Sequence, residues 1–154
     1  MYILLCNDDG INAPGIVALA DALGALGQVT VVAPDMERSA ASNSLTLSQP
    51  LRVREVSFPV RVEKAYAVSG TPADCAKIAL ANLLETRPDV VVSGINRGPN
   101  MCVDIFYSGT VAAAFEGAFK GLPSFAVSLD SYHSDADYSI AAKWGVECVR
   151  RLMA

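Results

Sequence analysis

The chain has 154 residues, enough for one domain with a sizeable core. Apolar residues make up 52% and charged residues 18%, a balance that excludes a disordered chain. Asp and Glu number 16 against 12 Lys and Arg, a net charge of −4, and the basic residues are scattered, which argues against a nucleic-acid polymer or an anionic membrane surface as partner.

The N-terminus has no basic leader segment, and its apolar run is too short for a signal peptide or a membrane span. Four widely spaced cysteines (Cys6, Cys75, Cys102, Cys148) form no Cys-x-x-Cys pair and read as reduced thiols of a cytoplasmic protein. With a single His there is no ligand pair at zinc spacing.

Ile3-Leu4-Leu5-Cys6 is a short apolar run that ends in Asn7-Asp8-Asp9-Gly10, so it reads as a buried strand closed by a turn. Two carboxylates side by side at a strand end repel by about 4 kcal/mol at about 4 Å and an effective dielectric near about 20. A hard divalent cation reverses that repulsion. The alternative at this stage is an ordinary turn with one Asp capping the next helix.

Pro14 marks a helix start, and Ile16, Val17, Leu19, Ala20, Leu23 and Leu26 extend the pattern to about Gly27. Residues 29–33 are β-branched and apolar, a second buried strand stopped by Pro34. Strand, helix and strand in this span make a βαβ unit with parallel strands. Residues 35–50 are small and polar, a long loop on the edge where open α/β sheets bind ligands. Segments 52–56 and 60–63 alternate charged and apolar residues and read as half-exposed antiparallel strands.

Thr71, Pro72 and Asp74 open a second helix that is expected to reach about Glu85. Residues 90–93 are a third buried strand, ending in the turn-rich segment 94–100. Residues 111–120 form an Ala-rich helix, 125–129 a fourth strand, and 136–153 a final helix with Ile140, Trp144, Cys148 and Leu152 on one face. The pattern predicts an α/β, Rossmann-like, mostly parallel sheet flanked by helices, with a short antiparallel strand pair, as one domain over residues 1–154. The first strand lacks the G-x-G-x-x-G sequence, so a dinucleotide is not favoured.

Three segments reach the carboxyl rim of this sheet: Asp8-Asp9, the Ser39 loop and Gly94-Ile95-Asn96. Two carboxylates, a hydroxyl and an amide carbonyl with water suit one Mg²⁺ or Mn²⁺. Ser108-Gly109-Thr110 opens a helix, where free N–H groups and the dipole suit an anion; an ordinary Ser/Thr cap is the other reading. Cation and helix start on one rim point to phosphate-ester hydrolysis. No Cys is placed for a Cys-x₅-Arg nucleophile, and a Walker loop is absent. A dehalogenase-type hydrolase needs an attacking Asp where this chain has Asn7, which cannot form an aspartyl phosphate. A metal-activated water, oriented by Asp8 or Asp9, remains.

Six blocks in order carry a resemblance. They are Asn7-Asp8-Asp9-Gly10 with Ala13-Pro14-Gly15, then Val32-Ala33-Pro34-Asp35, then Arg38-Ser39 with Ser42-Asn43-Ser44-Leu45-Thr46. Gly70-Thr71-Pro72 with Asp74-Cys75, Val92-Ser93-Gly94-Ile95-Asn96 with Gly98-Pro99-Asn100, and Tyr107-Ser108-Gly109-Thr110-Val111-Ala112-Ala113-Ala114 complete the set. Together they resemble the SurE family, the survival-protein nucleotidases. The resemblance implies a metal-dependent 5′-nucleotidase acting on nucleoside 5′-monophosphates, and further on 3′-monophosphates and short polyphosphate. It implies Asp8, Asp9, Ser39 and Asn96 as metal ligands, with Asp8, Asp9 and Asn96 catalytic, and Asn43, Ser108, Gly109 and Thr110 near the phosphate.

Similar proteins continue into further strands and an arm exchanged between subunits. The family therefore implies a homodimer or tetramer, and this chain is expected to be short at its C-terminal end. A non-catalytic nucleotide- or phosphate-binding module is the alternative function on that account. His133 is expected to be solvated, while Arg38 and Arg97 are either phosphate contacts or rim ion pairs.

Overall fold

The structure, a computed structural model, describes residues 1–38 and 40–154. Its strands are β1 (Tyr2–Cys6), β2 (Gln28–Pro34), β3 (Val53–Glu55), β4 (Lys64–Val68), β5 (Val90–Arg97) and β6 (Ser124–Leu129). The helices are α1 (Pro14–Leu23), α2 (Pro72–Ile78), α3 (Gly109–Phe119) and α4 (Ser139–Leu152). The strands form one sheet in the order β3-β4-β2-β1-β5-β6, parallel throughout except for the β3–β4 pair. The expected α/β architecture, mostly parallel with one antiparallel pair, is what the chain adopts.

The sheet is buried on both faces because successive side chains of a strand point to opposite sides. Ile3 and Leu5 of β1 join Ile16, Leu19, Ala142 and Val149 in one core, under α1 and α4. Leu4 and Cys6 face the other way and join Cys75, Ala76, Val91 and Ala113, under α2 and α3. Leu4 and Leu5 are fully buried, each contributing about 1.5–3 kcal/mol by its removal from water. All four cysteines are free, and burial pushes the Cys6 thiol up to about 12, which leaves it inert at neutral pH.

Four expectations about the elements are corrected. Helix α1 ends at Leu23, with Gly24 as its cap, and does not reach Gly27. The second member of the antiparallel pair is Lys64–Val68, not 60–63; it also pairs in parallel with β2, so its alternate residues Ala65 and Ala67 are buried there. Helix α2 gives way after Ile78 to a π-helical turn, Ala79–Leu83, and stops short of Glu85. Strand β5 does not end at Ser93 but continues to Arg97, with an irregularity against β6 between Ser93 and Asn96. Such a bulge re-aims side chains.

On α4 the expected face points outward. Ile140 and Trp144 are 68% and 59% exposed, while Ala141, Ala142, Gly145 and Val149 are buried. A Cβ on Gly145 would lie 2.7 Å from a Leu19 methyl, so the helix approaches α1 through its small residues. Close approach won over side-chain size, which i, i+4 spacing cannot reveal.

Sheet order places β1 between β2 and β5. The chain leaves β1 for β2 on one side and reaches β5 on the other, so the carboxyl ends of β1 and β5 form a topological switch point, where open α/β sheets leave a crevice. Asp8 and Asp9 follow β1 after the single residue Asn7, and Asn96 lies near the end of β5.

Candidate metal and phosphate site

The turn after β1 is held from inside. Asn7 is fully buried, and its side-chain amide donates to the Gly10 carbonyl at 2.8 Å. Asp8 is buried and Asp9 half-buried. The Arg38 backbone N–H donates to the Asp8 carbonyl at 2.8 Å, which ties the loop after β2 to this turn. Asp9 Oδ2 accepts from the Arg97 backbone N–H at 3.0 Å, joining the ends of β1 and β5.

Helix α3 begins against Asp8. Ser108 is its N-cap and accepts from the Val111 N–H at 3.1 Å. The Thr110 hydroxyl donates to the Asp8 carboxylate. A Cβ on Gly109 would stand 2.9 Å from the Asp8 Cβ and 2.8 Å from the Pro72 ring, so only glycine leaves room for this contact. The helix N-terminus does meet an anion, as its dipole favours, and that anion is Asp8 itself.

The electrostatics leave a deficit of positive charge. Burial pushes the Asp8 carboxyl up to about 6; the Thr110 hydrogen bond opposes the shift and the neighbouring Asp9 charge adds to it. Burial also raises Asp9, against the opposing Arg97 N–H and guanidinium, and Glu37 raises it further. Asn7 Oδ1 is buried and without a hydrogen-bond partner among the described residues. The Asn96 amide donates to the Gly98 carbonyl at 2.8 Å, which leaves its Oδ1 as an acceptor. This donor set fits a hard divalent cation that retains several waters. Among the described residues no cluster of three His, Cys, Asp or Glu side chains is present, so a site built wholly from such ligands does not fit.

Asp8, Asp9 and Asn96 line one cleft of about 330 Å³, with Glu37, Ala40, Arg97, Asn100, Asp104, Tyr107 and Tyr132 among its walls. That volume is at the lower end of small-molecule sites. A larger cavity of about 660 Å³ lies at the opposite end of the sheet, between Met1, Asp21, Gln28, Arg61 and Glu63, far from the strand ends that carry the aspartates. Sequence reasoning missed Glu37, Asp104, Tyr107 and Tyr132 as wall residues. Tyr107 and Tyr132 are 63% and 73% exposed, and two exposed rings on one polar rim are the signal that only the fold displays.

The remaining expected residues fall as follows. Asn43 is exposed on the loop after β2 and does not line this cleft. Ser108, Gly109 and Thr110 are buried behind Asp8 and do not line it either. Ser39, expected as a metal ligand, lies outside the described residues. Arg38 points elsewhere, donating to the Ser69 carbonyl at 3.1 Å. Arg97 does line the cleft, with its guanidinium 3.8 Å from Glu37. His133 is exposed and outside the cleft wall.

A family model described as "Survival protein SurE" matches residues 3–154. The "5'-nucleotidase SurE" of Heliobacterium modesticaldum is 53% identical over 143 residues, covering 93% of this chain and 52% of that protein. The protein of the same description from Moorella thermoacetica is 54% identical over 142 residues, covering 92% and 54%. The crystal structure of the Sure protein from Aquifex aeolicus superposes with a TM-score of 0.85 at 42% identity, covering 99% of this chain and 60% of that one. The chain thus spans about half the length of the curated relatives it matches.

Proposed function

The chain belongs to the survival protein SurE family, and from that premise we propose that it is a divalent-metal-dependent phosphatase that hydrolyses nucleoside 5′-monophosphates. Nucleoside 3′-monophosphates and short polyphosphate complete the proposed substrates. The observation that carries the reading is the shared cleft: Asp8, Asp9 and Asn96 line it together, at the crevice between β1 and β5.

Asp8, Asp9, Asn96 and Ser39 are the proposed holders of one Mg²⁺ or Mn²⁺. When bound, that ion supplies Lewis-acid charge and lowers the pKa of water. The protein's own part is positional and acid–base. Asp8 is pinned by Thr110 and Gly109, so its oxygens stay fixed. Asp9 is the more accessible carboxylate and is the group proposed to hold a proton of the attacking water. Arg97 offers a guanidinium to the phosphate on the same wall. Asn43 is proposed to meet the phosphate from the loop after β2, and Ser108, Gly109 and Thr110 to serve it by holding Asp8. Tyr107 and Tyr132 line the cleft as exposed aromatic side chains, and aromatic rings stack nucleobases, which supports a nucleotide over a bare phosphate ester. With Asn7 in the first turn position, no aspartyl phosphate forms.

A homodimer or tetramer, and a cytoplasmic location, belong to the same proposal. Exposed Ile140 and Trp144 on α4 and the stacked pair Phe115–Phe119 on α3 are apolar faces that an assembly would cover. No helix among the described residues is long and apolar enough to cross a membrane. The activity is tested by phosphate release from nucleoside 5′-monophosphates with Mn²⁺ or Mg²⁺. Release that stops with EDTA supports the reading; nucleotide binding with no release under any metal overturns it.

A further inference from the structure

The loop after β2 contains two non-glycine residues in the left-handed region, Ala40 at φ 53° and Ser42 at φ 50°. Each such residue costs on the order of 1–3 kcal/mol and persists only where surrounding structure over-determines it. Two sets of hydrogen bonds hold the loop. On one side the Ser42 N–H donates to the Tyr107 carbonyl at 3.0 Å, and the Ser42 hydroxyl to the Phe106 carbonyl at 2.8 Å. On the other side the tie runs through Asp74.

Asp74 is buried, and its carboxylate accepts from the Thr46 hydroxyl at 2.6 Å, the Thr46 N–H at 3.1 Å and the Thr71 N–H at 2.9 Å. The Thr71 hydroxyl completes the ring by donating to the Ser44 carbonyl at 2.7 Å. A helix capping box accounts for the Thr71–Asp74 reciprocity alone. It does not account for Thr46, 28 residues upstream, which spends both of its donors on the same carboxylate.

We propose that Asp74 is a positioning residue for the nucleotidase site: with Thr46 and Thr71 it clasps the 40–47 loop and so holds Ala40, which lines the cleft, in its place on the wall. The proposal rests on the function proposed above. Asp74, Thr46 and Thr71 are not cleft-wall residues; Thr46 touches the site through the loop, whereas Thr71 and Asp74 also flank Pro72, which packs by Gly109, so the test is made at Thr46.

Thr46→Val tests it, because that change removes one hydrogen bond to Asp74 and leaves the helix cap intact. Leu45 and Leu47 are exposed, so chymotrypsin reads release of the loop directly. The expected result is cleavage of the loop that is roughly tenfold faster or more, at a temperature where the melting curve shows the protein still folded. A fall in kcat/KM for a nucleoside 5′-monophosphate accompanies it, and Thr46→Ser restores both. Wild-type cleavage in Thr46→Val overturns the clasp. A released loop with wild-type kcat/KM overturns its positioning role. An inactive wild-type protein with a protected loop would instead mark a failure of the nucleotidase reading, and the positioning role falls with it.

Discussion

Thr110, on the first turn of α3, donates its hydroxyl to the carboxylate of Asp8, at the end of β1. Both residues are buried. The contact joins two elements 102 positions apart and fixes one of the two aspartates on which the proposed chemistry depends. Groups that orient a metal ligand in this way typically alter metal affinity about 10–100-fold when removed. Thr110→Val should therefore keep its fold and weaken Mn²⁺ binding in that range. Thr110→Ser, which retains the hydroxyl, should bind as the wild type does. Calorimetric titration of Mn²⁺ into the three proteins checks this without any assay of turnover.

Gly109 carries the same argument in steric form. An added methyl would meet Asp8 and Pro72 at less than 3.0 Å, and both residues are buried. Overpacking of this kind costs about 1–3 kcal/mol. Gly109→Ala should lose that much in urea unfolding and lose metal affinity with it. An unchanged midpoint would show that the α3 start yields where the packing says it is tight.

The acid limb of stability should carry the signature of Asp74. Burial pushes its carboxyl up, but the hydrogen bonds from Thr46 and Thr71 outweigh burial and hold it below the ordinary value of 3.8. A lowered folded-state pKa means that the charged form is favoured in the native protein, so its contribution is fully present above the unfolded value. It is lost as pH falls through the folded value. The stability difference between wild type and Asp74→Asn should be constant near neutrality and shrink below pH 3.8. Urea unfolding at a series of pH values reads it.

The aromatic walls predict a split between substrates. Stacking a base on an aromatic ring is worth about 1–3 kcal/mol. Tyr132→Ala should raise KM for a nucleoside 5′-monophosphate by roughly tenfold with kcat little changed. It should leave KM for ribose 5-phosphate, which has no base, where it was. Equal effects on both would place Tyr132 outside base recognition.

Much of the site was legible because it follows from strand ends. An apolar run that stops at Asn7-Asp8-Asp9-Gly10 puts two carboxylates at a sheet edge, and parallel topology brings Asn96 to the same edge. What periodicity cannot supply is the partner of each side chain. Ser108-Gly109-Thr110 has the composition of an anion-binding helix start, yet the anion it meets is Asp8, a contact between residues far apart in sequence. Thr71 and Asp74 read as a cap, and the cap is there, but Thr46 reaches it across a loop with no regular repeat. On α4 the large side chains suggested the buried face, while Gly145 and its alanines decided it by allowing closer approach to α1. Tyr107 and Tyr132 lie in loops, where local sequence carries no signal of which way a ring faces.

The central claim is that Asp8 and Asp9 serve a metal-dependent phosphatase. Phosphate release from a nucleoside 5′-monophosphate, measured with Mn²⁺ and with EDTA for wild type and Asp9→Asn, tests it most directly. The expected result is release by the wild type with Mn²⁺, none with EDTA, and none by Asp9→Asn, whose circular dichroism and melting curve stay native. Full release by Asp9→Asn, or release by the wild type that persists in EDTA, would contradict the account.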